Sequence, residues 1–360
     1  MKRVHNFSAG PAVLPLEVLK KAQEELPSYG DTGTSIMEQS HRGKAYSQID
    51  AEAKERLNRI LGLDDKFHIL FLQGGASQQF MQVPYNLLGD DETADYIDTG
   101  RWSAKAITEA EIFGKVHVPF SSADDNYTHV PTSADQLDLT EGAKYVHITS
   151  NNTVVGTQLP TEPETNGVPL VCDASSDFLS RPIDVDKYGI IYAGAQKNLG
   201  PAGVTVVLVN KEFIKGQADR DIPTLLDYTT HTEKIFNTPP TFAVYMVNLV
   251  LEWVEEKGGL DYFQKVNNQK AELLYSTIDS DDFYRGTAKL DSRSKMNVTF
   301  RLPSEELEAQ FLAEAAKHDL VALKGHRSVG GVRASIYNAC PMESVQALVD
   351  FMKQFRSENG

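Results

Sequence analysis

The stretch Tyr192-Ala193-Gly194-Ala195-Gln196-Lys197-Asn198-Leu199-Gly200-Pro201-Ala202-Gly203 sets one lysine in a loop of small residues between two apolar runs, 190–192 and 204–209. Short runs of this kind, rich in β-branched residues and without polar alternation, are those of strands buried on both faces. The same texture recurs upstream at 67–72, 95–97, 115–118, 145–149 and 168–172. Amphipathic stretches accompany them: 103–113 between two runs, and 45–61 before the first, where Ile49, Ala53, Leu57 and Ile60 share a helical face. Alternating strand and helix predicts an α/β fold, a large domain whose mostly parallel seven-stranded sheet is flanked by helices.

Past Pro239 and Pro240, segment 241–256 is strongly apolar and stops at Lys257, Gly258 and Gly259, a cation followed by glycines as at a helix end. This long helix is predicted to link two domains. Beyond it the pattern predicts a helix at 261–277, a strand at 297–302, a helix opened by Ser304 with Glu305 and Glu306 in its first turn, a strand near 331–336 and a helix over 344–355. These make a smaller C-terminal α+β domain. No internal repeat or long linker separates the two parts.

At ~150 residues per domain, 360 residues accord with two domains. Fifty Asp and Glu against 35 Lys and Arg give a formal charge of −15, which disfavours nucleic acid and anionic membrane as partners because both need a net basic face. Residues 258–360 are nearly neutral, so the excess lies in the first 257. No apolar run approaches the ~20 residues that cross a bilayer. Lys2 and Arg3 are followed by His5, Asn6 and Ser8 rather than by an apolar stretch, so no export signal is read and a soluble, cytoplasmic protein is expected. Cys172 and Cys340 stand apart from any Cys/His cluster; both are expected to be reduced and structural, with no metal site.

Chemistry concentrates in a few places. A lysine held among glycines and alanines close to a core is the type that loses its proton and bonds covalently to carbonyls, although most lysines are simply solvated. Asp173 closes the run 168–172, 24 residues before Lys197. A carboxylate ending a buried parallel strand points into the crevice where α/β proteins bind ligands, and a turn-forming aspartate is the ordinary alternative. Together the two suggest pyridoxal phosphate, which needs a lysine for its aldehyde and an acid beside its pyridine nitrogen. Gly74-Gly75-Ala76-Ser77-Gln78-Gln79-Phe80 follows a strand and opens a helix, a cradle for a phosphate that many ligand-free turns share. Trp102 either packs in the core or stacks on a planar ring. His41 and Arg42, and then Lys324, His326, Arg327 and Arg333, form two cationic clusters in an acidic chain, suited to anionic substrate groups unless they are plain solvated surface.

The chain resembles the phosphoserine aminotransferases, pyridoxal-phosphate enzymes of the aspartate-aminotransferase fold type. The resemblance rests on Asn6-Phe7-Ser8-Ala9-Gly10-Pro11-Ala12, Ser40-His41-Arg42-Gly43, the Gly74–Phe80 motif, Asp98-Thr99-Gly100-Arg101-Trp102-Ser103, Asp173-Ala174-Ser175-Ser176-Asp177, the Lys197 loop and Gly325-His326-Arg327, in that order along nearly the whole length. It implies that Lys197 holds pyridoxal 5'-phosphate covalently, that Asp173 pairs with the ring nitrogen and that Trp102 stacks on the ring. Ala76 and Ser77 would hold the cofactor phosphate, Thr153 and Gln196 would bond near the ring oxygen or phosphate, and Asn237 and Thr238 would reach the phosphate of the neighbouring subunit, so a homodimer with sites at the subunit interface is implied. Arg333 would take the substrate α-carboxylate, with His41, Arg42, His326 and Arg327 around the substrate phosphate.

The reaction implied is amino transfer between glutamate and 3-phosphohydroxypyruvate in serine biosynthesis, and the sequence leaves open whether the phosphorylated threonine analogue of vitamin B6 synthesis is a further substrate. Residues 1–15 would be an N-terminal segment serving the active site and small domain, 16–257 the large cofactor-binding domain and 258–360 the small one. The alternatives are an aminotransferase of the same fold type acting on serine or alanine with glyoxylate, and a non-catalytic anion-binding module. A cysteine desulfurase is disfavoured, because Cys172 sits inside a strand and Cys340 has no flanking cation.

Overall fold

A computed structural model describes residues 3–360; residues 1 and 2 of the expected N-terminal segment lie outside the described residues. All seven apolar runs are strands of one sheet: β1 Phe67–Leu72, β2 Thr93–Asp98, β3 Lys115–Ser121, β4 Val146–Thr149, β5 Leu170–Asp173, β6 Tyr188–Gly194 and β7 Thr205–Asn210. Their spatial order is β1-β7-β6-β5-β4-β2-β3. Five neighbouring strands run parallel, whereas β7 is antiparallel to both β1 and β6. The cause is the loop after β6. The chain has only residues 195–204 before β7, fewer than the dozen or more of a parallel crossover.

Alternate residues of the sheet feed two cores. On one face Ile97, Val146, Ile148, Cys172, Ile191, Ala193 and Val206 pack against helices α2 (Lys44–Leu61) and α6 (Thr241–Lys257). On the other, Tyr96, Tyr145, Val171, Ile190, Tyr192 and Val207 pack against α3 (Gly75–Leu87) and α4 (Arg101–Ala110). Helix α6 is buried almost all round, which explains its unbroken apolar sequence, and Gly258 ends it in a left-handed conformation at φ 108°.

The C-terminal part holds a three-stranded antiparallel sheet, Arg285–Gly286, Asn297–Arg301 and Val332–Ser335, with helices Gly259–Ile278, Glu305–Lys317 and Met342–Asn359. Its core gathers Phe300, Phe311, Val349 and Phe355, and Phe7 from the chain start is buried among them. His5–Asn6 pairs in parallel with Leu320–Val321. Among the described residues no helix is long and apolar enough to cross a membrane.

Candidate active site

Strand β5 ends on the acid, and its neighbour β6 runs directly into the loop that carries the lysine. Register pairs Asp173 with Tyr192 and with Thr149, so Asp173 sits at the C-terminal edge of three adjacent strands. Among the described residues both hydrogen bonds to its carboxylate go to Oδ1, from the Ser175 amide (3.0 Å) and the Ser175 hydroxyl (2.6 Å). The Ser175 oxygen in turn accepts the Gly194 amide at 3.1 Å. This clamp fixes one oxygen and leaves Oδ2 for a ligand. Ser175 was not singled out in the sequence, although an Asp followed two residues later by Ser is a local turn pattern that marks it.

Lys197 is partly accessible, and its amine donates to Thr153 Oγ1 at 2.6 Å. Desolvation lowers its basicity to about 8; Asp173 opposes the shift and Arg333 adds to it. Thr153 also ties in the C-terminal part, because its carbonyl accepts Arg333 Nη1 at 3.2 Å. Burial lowers the basicity of that guanidinium, and its Nε is buried with no partner among the described residues. Lysine, threonine and arginine thus meet across 44 and 180 residues of chain. The chain start closes the same corner: the Ala12 amide bonds the Gln196 carbonyl at 2.8 Å. Gln196 itself is half-buried beside Lys197.

Trp102 is held by the turn before it. Ser103 Oγ accepts from the amides of Thr99 (3.0 Å) and Gly100 (2.9 Å) and donates to Asp98 Oδ1 (2.8 Å), which explains why that motif carries a serine after the tryptophan. The indole ring lies 5.9 Å from Lys197 Nζ and 4.9 Å from Lys105 Nζ. Its Nε1 is buried without a partner among the described residues.

The glycine turn behaves as the sequence suggested. Gly74 takes φ 88°, and a Cβ there would collide with the Gln78 side chain, so the turn needs glycine. Helix α3 begins at Gly75, leaving the first-turn amides of Ala76 and Ser77 free to bind an anion. Asn237 bonds Gln73 Oε1 at 2.8 Å and the Thr238 carbonyl faces Gln73 Nε2 at 3.5 Å, next to this turn in the same chain.

His326 and Arg327 ride a hairpin loop closed by Gly325, whose Cβ would run into the Gly330 carbonyl. His326 Nδ1 bonds Ser328 Oγ at 2.7 Å. Burial lowers its basicity, and the positive charges of Arg101, Arg333 and Arg327 add to the effect. Among the described residues no hydrogen bond or ion pair joins His41 or Arg42 to Lys197, Asp173 or Arg333, and the His41 Nε2 is buried without a partner.

Cys172 and Cys340 are both buried and unpaired. Desolvation pushes the Cys172 thiol well above its ordinary range and the Cys340 thiol to about 11, the opposite of what a nucleophilic cysteine needs.

The donor set fits pyridoxal phosphate: an amine of lowered basicity, a carboxylate with one oxygen free, an indole with an unsatisfied N–H and unused amides at a helix start. Family comparison points the same way. The model of the class-V aminotransferases matches residues 4–348. A phosphoserine aminotransferase of Desulfosudis oleivorans is 54% identical over 363 residues, covering all of this chain and 99% of that protein. The solved phosphoserine aminotransferase of Bacillus circulans subsp. alkalophilus is 50% identical, with a TM-score of 0.97 and full coverage of both chains. The pyridoxal-phosphate-bound phosphoserine aminotransferase of Trichomonas vaginalis is 40% identical, with a TM-score of 0.93 over 98% of this chain and all of that one.

Proposed function

Since this chain belongs to the class-V aminotransferases, and within them to the phosphoserine aminotransferases, we propose that Lys197, Asp173, Trp102 and Arg333 are the residues that carry its reaction. It is a pyridoxal-phosphate enzyme that moves an amino group between L-glutamate and 3-phosphohydroxypyruvate, giving O-phospho-L-serine and 2-oxoglutarate. Bound there, the cofactor supplies an aldehyde that takes up the amino group and a ring that accepts the electrons of the broken Cα–H bond. The observation that carries the residue assignment is that Thr153 joins the Lys197 amine (2.6 Å) to the Arg333 guanidinium (3.2 Å), where the charges of Asp173 and Arg333 both act on an amine whose basicity is lowered to about 8.

Each side chain then has a task. Lys197 would hold the cofactor and would move the proton at substrate Cα as general base and acid; a group titrating near 8 serves both directions at neutral pH. Asp173, with Oδ1 pinned by Ser175, would pair with the ring nitrogen and hold a proton there. Trp102 would cover the ring, Ala76 and Ser77 would bind the phosphate with their amides, and Thr153 and Gln196 would bond near the ring oxygen or phosphate. Arg333 takes the substrate α-carboxylate, and His326 and Arg327 face the far end of the substrate. Arg333→Ala is expected to raise KM for phosphoserine and for glutamate by about tenfold to a hundredfold, because a hydrogen bond to a charged group contributes about 1.5–3 kcal/mol; steady-state kinetics with each donor checks it.

We assign His41 and Arg42, with Asn237 and Thr238, to the site of a second copy in a homodimer. The support for His41 and Arg42 is that no hydrogen bond or ion pair among the described residues ties them to Lys197, and for Asn237 and Thr238 that they bond Gln73 at the edge of the glycine turn, beside the exposed apolar residues Leu225 and Phe236. Met37 is exposed close to His41 in the chain, and a second copy would cover such a surface. We keep 16–257 as the large cofactor-binding part, 258–360 as the smaller part and 1–15 as a segment serving the active site and the smaller part; the burial of Phe7 in the C-terminal core supports the last.

The test of the substrate is a comparison of O-phospho-L-serine with L-serine, 2-oxoglutarate being the acceptor. A site built for a phosphate rejects the analogue lacking it by about 10⁴-fold in kcat/KM. Comparable values for the two would defeat the phosphate assignment and favour serine or alanine as donor.

A further inference from the structure

Six arginines make no ion pair among the described residues, although acids outnumber cations: Arg3, Arg42, Arg101, Arg285, Arg327 and Arg333. Arg101 has no assigned role. It opens α4, and Lys105, also without a carboxylate partner, follows one turn later on the same face of the helix. Lys105 lies over the Trp102 ring at 4.9 Å, while Arg101 has no such partner among the described residues; two like charges at this spacing repel, and with no acid beside them an anion from outside would relieve the repulsion.

Both line an open cleft of about 490 Å³ with Asn126, Tyr127, Val154 and Ser328. The cleft abuts the active site, for Arg101, Val154 and Ser328 are the chain neighbours of Trp102, Thr153 and Arg327. No carboxylate lines it. The acid bonded to its wall, Asp98, is already occupied by Ser103, Ser121 and Tyr127. Across the cleft stands the loop of His326, whose basicity Arg101 helps to lower.

We propose that Arg101 and Lys105 form an outer anion-binding step that captures the phosphate of the doubly charged substrate before it reaches Lys197, and so favours phosphorylated over unphosphorylated donors. The proposal rests on the phosphoserine reading. A cationic cleft with low-dielectric walls raises the local concentration of such an anion and its association rate by about 10–10³-fold at low salt, an effect that salt erases.

The test is kcat/KM of the holoenzyme for O-phospho-L-serine and for L-glutamate, against ionic strength, in the wild type, Arg101→Ala, Arg101→Lys and the Arg101→Ala/Lys105→Ala double variant. The expected result is a fall of at least about tenfold for phosphoserine in the double variant at low salt, mostly in KM, with a flattened salt dependence. Glutamate should lose less, and Arg101→Lys should retain the slope. An active wild type beside a double variant of unchanged KM and slope overturns the capture step and leaves the reaction standing. Equal losses for both donors without a change of slope overturn it too, as a general disturbance of Trp102. A wild type inactive on phosphoserine overturns the proposed reaction, and the capture step with it.

Discussion

Lys197→Ala is expected to lower transamination by about 10⁴-fold or more, because one substitution removes both the covalent anchor of the cofactor and the proton carrier at Cα. Stopped-flow or steady-state assay of phosphoserine with 2-oxoglutarate checks it, alongside circular dichroism to show the fold intact. The lysine is a cost to the fold rather than a support. Burial lowers its pKa from 10.5 to about 8, so between those values the unfolded chain binds the proton more tightly than the folded one. Stability from this group therefore rises with pH through that window and is lowest below about 8. Cofactor-free Lys197→Met should accordingly melt no lower than the cofactor-free wild type at pH 7. The same shift predicts that modification of the free amine by aldehydes rises steeply through pH 8, instead of near 10.

The second large effect is expected at Asp173. Asp173→Asn keeps the shape and the bonds available to Ser175 while removing the charge that holds a proton at the ring nitrogen. An opposite charge at hydrogen-bond range is worth about one to three pKa units, so turnover should fall by about 10²-fold or more at neutral pH. The loss should appear in kcat more than in KM, since the substrate-binding arginines are untouched, and it should shrink as pH falls and the ring nitrogen regains its proton from solvent. Retention of full kcat by Asp173→Asn would remove Asp173 from the mechanism.

Much of this architecture is legible along the chain because it follows from local texture. Each of the seven apolar runs became a strand, and the stop at Lys257-Gly258 is where α6 ends. Asp173 and Lys197 could be paired from sequence because Asp173 closes one strand and Lys197 sits in the loop just past the end of the strand beside it in the sheet. What escaped the sequence is long-range or depends on register. The reversal of β7 is a matter of connection length, which reading strand by strand does not weigh. Asn151, at the seam between the two parts, bonds Asn297 at 2.8 Å over 146 residues, and a lone asparagine carries no sign of such a partner. Thr153 was assigned by resemblance to the ring oxygen or phosphate, and its link to both Lys197 and Arg333 appears only in three dimensions. Arg101 and Lys105 were invisible as a pair, because helical spacing alone does not say which cations lack an acid nearby.

The central claim is that Lys197 holds the cofactor, and borohydride reduction of the cofactor-loaded protein followed by peptide mass mapping tests it most directly. Reduction makes the lysine-to-cofactor bond permanent. The account predicts a pyridoxyl adduct on the peptide carrying Lys197 and its absence from Lys197→Ala. An adduct confined to other lysines, or loaded protein that yields none at Lys197, would contradict it.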